Sequence, residues 1–158
     1  MNKLTHFDDD GNAHMVDVSA KDSTERIAVA KGSVIMEPAT LTRIIEDGIK
    51  KGDVLSVAQL AGIMGAKKAP ELIPLCHPLN LSSVAVELTC DKERNAVDIM
   101  AMCKITGKTG VEMEALTAVT VAALTVYDMC KAIDRGMKVV DIHLIHKAGG
   151  KSGTFNAT

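Results

Sequence analysis

EMEALTAVTVAALTVYDMCK, residues 112–131, decides how the rest of the chain must be arranged. Glu112, Glu114, Asp128 and Lys131 bracket thirteen uncharged residues, Ala115 to Tyr127. The β-branched run Val119, Thr120, Val121 lowers helix propensity locally. Length and alanine content nevertheless predict one helix from about Val111 to Lys131, apolar on most sides and therefore buried. Ionised side chains in apolar surroundings cost several kcal/mol each unless paired or employed, so both helix ends are candidate sites. Asp128 is the only carboxylate of the stretch with a cation close in sequence: Lys131, three residues on, shares its helical face. Residues as far apart as Glu114 and Asp128 return to nearly the same face but are separated by about 21 Å along the axis. One small ligand does not reach both. If both ends serve chemistry, a two-fold related subunit is the simplest source of the second, which places the site at an interface.

Elsewhere, alternation predicts strands. Val84, Val86 and Leu88 alternate with Ser83, Ala85 and Glu87, and Val97, Ile99, Ala101, Cys103 and Ile105 form a second alternating set, joined to the first at Asp91 to Asn95. Val140, Ile142 and Leu144 form a last strand; Ile27, Val29, Val34 and Ile35 form a first one, with Gly32 allowing a bulge. Pro38 opens a helix at a position suited to its fixed φ. Leu41, Ile44, Ile45 and Ile49 come next at helical spacing, with Gly48 near the end. Lys51-Gly52 makes a joint, and Asp53 caps a second helix whose Val54, Val57, Leu60, Ala61 and Met64 share a face; Pro70, Pro74 and Pro78 punctuate the segment after it. The order β-α-(α)-β-β-α-β is that of an α+β, ferredoxin-like split βαβ unit, an antiparallel sheet covered by helices on one face. Residues 1–24 read as a polar arm that docks only locally, 25–148 as the single domain and 149–158 as a glycine-rich tail.

Composition narrows the class. A chain of 158 residues suits one domain and buries roughly 70% of its unfolded surface. Aromatic content is 2%, with Phe7 and Phe155 near the termini and Tyr127 alone inside, so the core is built from Val, Ile, Leu, Ala and nine Met. Such residues pack flat and suit subunit contacts. A net charge of −2 argues against nucleic-acid binding, so an anionic ligand must be held by locally gathered lysines. Four cysteines without a C-x-x-C pair, and an acidic start without an apolar signal core, predict reduced thiols in a cytoplasmic protein. No uncharged apolar run reaches the length of a membrane span.

Phosphate-loop and metal patterns fail on inspection. Gly150-Lys151-Ser152 has Ile145 where a P-loop needs its first glycine, and Gly107-Lys108-Thr109 has Met102 there. His143 and His146, three apart on a strand, are expected on opposite faces and so do not chelate together. Cys76 and His77 are adjacent and lack a second ligand pair. A loop presenting His77 as a donor or acid is the better reading. Tyr127, Met129, Cys130, Ala132 and Ile133 surround Asp128 and Lys131, which predicts partial burial and tunable protonation.

Long blocks carry a resemblance over nearly the whole chain: Met15-Val16-Asp17-Val18-Ser19 with Lys21; Lys51-Gly52-Asp53-Val54; and Leu72-Ile73-Pro74-Leu75-Cys76-His77-Pro78-Leu79. Further on come Thr106-Gly107-Lys108-Thr109-Gly110-Val111-Glu112-Met113-Glu114-Ala115-Leu116-Thr117, Tyr127-Asp128-Met129-Cys130-Lys131-Ala132 and Gly149-Gly150-Lys151-Ser152-Gly153. The chain resembles the molybdenum cofactor biosynthesis protein C family, the cyclic pyranopterin monophosphate synthases. The resemblance implies a lyase reaction without metal, redox step or cofactor. Cyclised dihydro-GTP, made by a radical SAM partner enzyme, is rearranged to cyclic pyranopterin monophosphate and pyrophosphate is released. It also implies a homohexamer built as a trimer of dimers. By position, Leu75, Cys76 and His77 with Met113 and Glu114 hold substrate, while Asp128 is catalytic alongside Lys51 and Lys131. Lys21, Arg26, Lys147 and Lys151 are further candidates for the triphosphate, and Glu112 or Glu114 for the guanine amide and amine edge. Two rivals stand beside this reading: a non-catalytic nucleotide-binding regulatory module on the same scaffold, and a purely structural assembly subunit.

Overall fold

The computed structural model describes residues 3–47 and 53–158. In chain order the elements are β1 (Thr24–Ile35), α1 (Pro38–Asp47), α2 (Val54–Leu72), β2 (Ser83–Asp91), β3 (Ala96–Gly107), α3 (Glu112–Cys130), β4 (Lys138–Ala148) and a short β5 (Phe155–Asn156). The strands form one sheet in the order β2-β3-β1-β4-β5, every neighbouring pair antiparallel. This is the α+β ferredoxin-like arrangement, with the C-terminal tail added as a fifth strand. Facing rows such as Ala28–Cys103–Val84 and Ala30–Ala101–Val86 point toward the helices and join Ala115, Ala118, Val119, Ala122 and Val126 of α3 in one core.

The hydroxyls of Thr120 and Thr125 donate to the carbonyls of Leu116 and Val121, each at 2.8 Å. These bonds satisfy both hydroxyls within the helix, while packing of its apolar surface overrides the low propensity of the β-branched run. By length and composition α3 matches a membrane span, but half of that stretch is buried inside the fold, so it is the core helix.

The structure corrects the expected face of α2. Ala58, Gly62, Gly65, Ala66 and Ala69 are the buried residues, while Val57, Leu60 and Met64 are exposed, the last two at 62%. The physical reason is close helix contact. A Cβ on Gly62 would lie 3.0 Å from the Ala118 carbonyl oxygen, and one on Gly65 2.8 Å from a Val121 methyl. Small residues therefore form the seam against α3 and the larger ones turn outward. The helix also runs through Pro70 to Leu72 instead of stopping before it, and ends with the Ile73 N–H donating to the Ala69 carbonyl at 2.9 Å. Asp53 caps its start as expected, accepting from the Leu55 N–H at 3.0 Å.

Opposite Gly32, β4 carries one extra residue, and Asp141 there has φ +57°. The bulge expected at Gly32 is thus on the neighbouring strand, and a Cβ on Gly32 would stand 2.8 Å from the Ile142 side chain. A second register shift, opposite Val29/Ala30, aligns His143 with Lys31 and His146 with Val29. Since Val29 and Lys31 share a sheet face, both histidines do too, contrary to the uninterrupted alternation expected of them. Each ring is already engaged: His143 Nδ1 with the Asp141 carbonyl at 2.5 Å, His146 Nδ1 with Asn156 Oδ1 at 2.7 Å.

Asp134, after α3, fastens the start of α1. Its carboxylate accepts from the Glu37 N–H at 2.9 Å, the Thr40 hydroxyl at 3.1 Å and the Gly136 N–H at 3.0 Å. The Glu37 bond is the main cause that holds its pKa below the usual carboxylate value. Asp134→Ala leaves the buried Thr40 hydroxyl and the Glu37 N–H without an acceptor, and is expected to cost about 2–4 kcal/mol, or roughly 5–15 °C in Tm. A depressed folded pKa contributes stability above the unfolded value and loses it as pH falls through the folded one. The Tm difference between wild type and variant should therefore shrink in scanning calorimetry below about pH 3.8. An undiminished gap there would show that the charge is not what matters.

Candidate active site

Most of the expected binding residues gather where β1 begins, β3 and β4 end and α3 starts. Glu114, in the first turn of α3, is 2% exposed. Its Oε1 lies 3.7 Å from the Cys76 thiol, which donates to it, while Oε2 is buried without a hydrogen-bond partner. Burial chiefly, and the neighbouring Glu112 charge, push its pKa up. Glu112 is not unpaired, as its sequence neighbours suggest: Lys147 at the end of β4 bonds its Oε1 at 2.7 Å, with both side chains largely covered. Leu75, Cys76, His77 and Met113 are half-buried, and of these the Cys76 thiol meets the acid.

Cys76 is not an activated nucleophile. Burial first, then the Glu114 charge, push its thiol up to about 11. Alkylation by iodoacetamide should accordingly be slow at pH 7 and rise about tenfold per pH unit toward pH 10 as thiolate forms. A rate that plateaus below pH 8 would contradict this assignment. Cys103, beneath α3, is raised to about 12 by burial and Glu114.

A cavity of about 470 Å³ is lined by Lys21, Asp22, Thr24, Arg26, Gly150, Lys151 and Ser152. Arg26 is buried and donates from Nε to the Gly107 carbonyl at 3.1 Å. The tail must be glycine here: Gly149 and Gly150 have φ +98° and +76°, and a Cβ on Gly150 would meet the Arg26 guanidinium at 2.2 Å. Three of the four proposed triphosphate cations thus share one cavity, while Lys147 belongs to the Glu112 pair. Thr24, not among the expected site residues, also lines this cavity; its Oγ1 is buried without a hydrogen-bond partner, and nothing in the local sequence signals it. Lys108 lies outside this lining, and its ammonium donates to the Ser19 carbonyl at 2.9 Å.

His77 donates from Nε2 to the Val16 carbonyl at 2.6 Å, since a carbonyl only accepts. The N-terminal arm therefore reaches beyond its own local contacts. Those include the Phe7–Ala13 bridge and a turn in which Asp8 accepts from the Asp10 and Asn12 N–H groups.

Asp128 and Lys131 sit at the opposite end of α3, paired at 2.6 Å. The expected partial burial is absent within one chain: their side chains are 70% and 55% exposed. Asp128, by hydrogen bond and charge, raises the Lys131 pKa, moving it away from neutrality. Because α3 is continuous from Glu112 to Cys130, this pair stands about 21 Å from Glu114. Lys51 lies outside the described residues.

Residues 15–150 match the MoaC family. The chain belongs to that family. A relative from Rhodospirillum rubrum, named cyclic pyranopterin monophosphate synthase, is 70% identical over 155 residues, covering 98% of this chain and 93% of that one. Proteins of the same name from Dinoroseobacter shibae and Parvibaculum lavamentivorans are 60% identical over 157 residues (99% of this chain and 99% of that one) and 59% over 155 (98% and 97%). The MoaC-family match takes in every candidate site residue except Lys151, which lies one position beyond it.

Proposed function

We propose that this MoaC-family chain is a cyclic pyranopterin monophosphate synthase, a lyase that converts cyclised dihydro-GTP to cyclic pyranopterin monophosphate and releases pyrophosphate. The relatives' shared name supports the reaction. The observations that carry it to these residues are a buried acid with an unfilled oxygen, Glu114, and a cavity lined by Lys21, Arg26 and Lys151. A carboxylate accepts from the paired N–H donors of a guanine edge. Clustered cations hold the triphosphate and stabilise charge building on the departing pyrophosphate.

In this reading the ring rearrangement needs proton transfer, which falls to Asp128 and Lys131 together with Lys51. Asp128 raises the Lys131 pKa further above neutrality, which suits Lys131 to act as a cation toward the phosphates. Since one protomer holds that pair far from Glu114, the catalytic end comes from a second copy, in a homohexamer arranged as a trimer of dimers. Exposed Leu60, Met64, Leu124 and Ile133 are apolar surface available for such assembly. The substrate would come from a radical SAM enzyme in the cytoplasm, where four unpaired cysteines remain reduced. Incubation with cyclised dihydro-GTP, following pyrophosphate, tests the proposal; binding without release would favour a regulatory module instead.

A further inference from the structure

We propose that His77 and Lys108 are positioning residues that hold segment 16–21 as a strap and thereby deliver Lys21 to the triphosphate cavity. The inference rests on the substrate reading above for the site the strap serves. Two anchors reach this segment from different loops. His77, after α2, donates to the Val16 carbonyl at 2.6 Å; Lys108, between β3 and α3, donates to the Ser19 carbonyl at 2.9 Å. Between them the strap folds on itself: the Ser19 N–H donates to Asp17 Oδ1 at 2.9 Å and the Lys21 N–H to the Val18 carbonyl at 3.0 Å. That turn places Lys21 among the residues lining the cavity with Arg26 and Lys151.

Apart from these bonds the strap has little to hold it. Met15, Asp17, Ser19 and Lys21 are all exposed, and only Val16 and Val18 are half-buried. An exposed segment of this kind is ordered by its few specific contacts. The Nε2 proton of His77 is committed to the Val16 carbonyl, so this atom acts on the arm and not on substrate. His77 also lies on the same short loop as Cys76, whose thiol meets Glu114, so the strap is fixed relative to the buried acid as well as to the cavity.

Hydrogen–deuterium exchange of the intact protein tests this without substrate. His77→Ala and Lys108→Met should each speed exchange across residues 16–21 by about tenfold, the scale of one lost hydrogen bond. His77→Gln, whose amide can still donate, should restore protection, as should Lys108→Arg. With inorganic tripolyphosphate as the probe in calorimetric titration, Lys108→Met should weaken binding by about tenfold and Lys108→Arg by less than threefold. With cyclised dihydro-GTP the same change should appear in KM, with kcat within about threefold of wild type. Unchanged exchange in both loss variants overturns the proposal. So does a His77→Ala variant that loses kcat by about a hundredfold while the strap stays protected, because His77 would then act directly. Should wild type fail to turn over cyclised dihydro-GTP, the reaction reading falls, while exchange and tripolyphosphate binding still decide whether the strap exists.

Discussion

Asp128→Ala is expected to lower turnover of cyclised dihydro-GTP by about 10²–10⁴-fold, the usual scale for a lost acid or base, with no loss of fold. The fold survives because Asp128 is exposed on the last turn of α3 and its side chain is bonded to Lys131, which is exposed as well; exposed pairs of this spacing contribute little to stability. Circular dichroism and Tm should match wild type while pyrophosphate release collapses. Lys131→Ala should behave likewise. Near-normal rates for Asp128→Ala would remove the pair from the mechanism. Subunit mixing then tests sharing. Asp128→Ala chains combined with Glu114→Ala chains should recover part of the activity, since a mixed interface pairs one intact α3 start with one intact α3 end. No recovery, despite verified exchange of subunits, would leave each site within one chain and the 21 Å gap unexplained.

Glu114→Gln should move stability and binding in opposite directions. A carboxyl whose folded pKa is raised favours the fold when protonated: its contribution is full below the unfolded value of about 4.5 and is lost as pH rises through the folded pKa. Glutamine has nearly the same shape and no charge to bury. The variant should equal wild type near pH 4 and exceed it at pH 8 by about 1–3 kcal/mol, or roughly 3–10 °C in Tm. Affinity should fall. The unpartnered Oε2 sits ready for an N–H donor, and an amide nitrogen turned toward that donor would leave both buried and unpaired. A rise in KM of about 10²-fold is expected from steady-state rates. A lower Tm at pH 8 would mean that the acid is satisfied in the empty site, and the argument for a ligand donor there would lapse.

Some of this is legible in the residues. Alternation locates β2 and β3, and the Asp91–Asn95 joint is a turn in which Asp91 accepts from the Glu93 and Arg94 N–H groups and Asn95 takes φ +50°. Alanine content locates α3, and its length foretells the gap between its ends. The face of α2 is not legible, because hydropathy weights Leu60 and Met64 above Gly62 and Gly65, whereas close helix contact selects for absent side chains. The register of β4 is hidden because single inserted residues leave no trace in composition. The Glu112–Lys147 pair joins residues 35 apart, and a non-local contact of that kind follows only from sheet order. Resemblance points to Leu75, Cys76 and His77 with Met113 and Glu114 as binding positions, and the fold brings Cys76 to Glu114; it does not reveal that His77 is tied to the arm.

The glycine-rich return after β4 has a practical side. Residues 149–153 turn so that β5 lies along β4, His146 pairing with Asn156 and Lys147 with Phe155. Gly149 and Gly150 therefore lie against Arg26, and Phe155 and Asn156 cover part of the β4 margin. A purification tag fused directly after Thr158 would start next to that seal. A tag on a long spacer should better preserve the pairing of β5 with β4 and the glycine cover on Arg26.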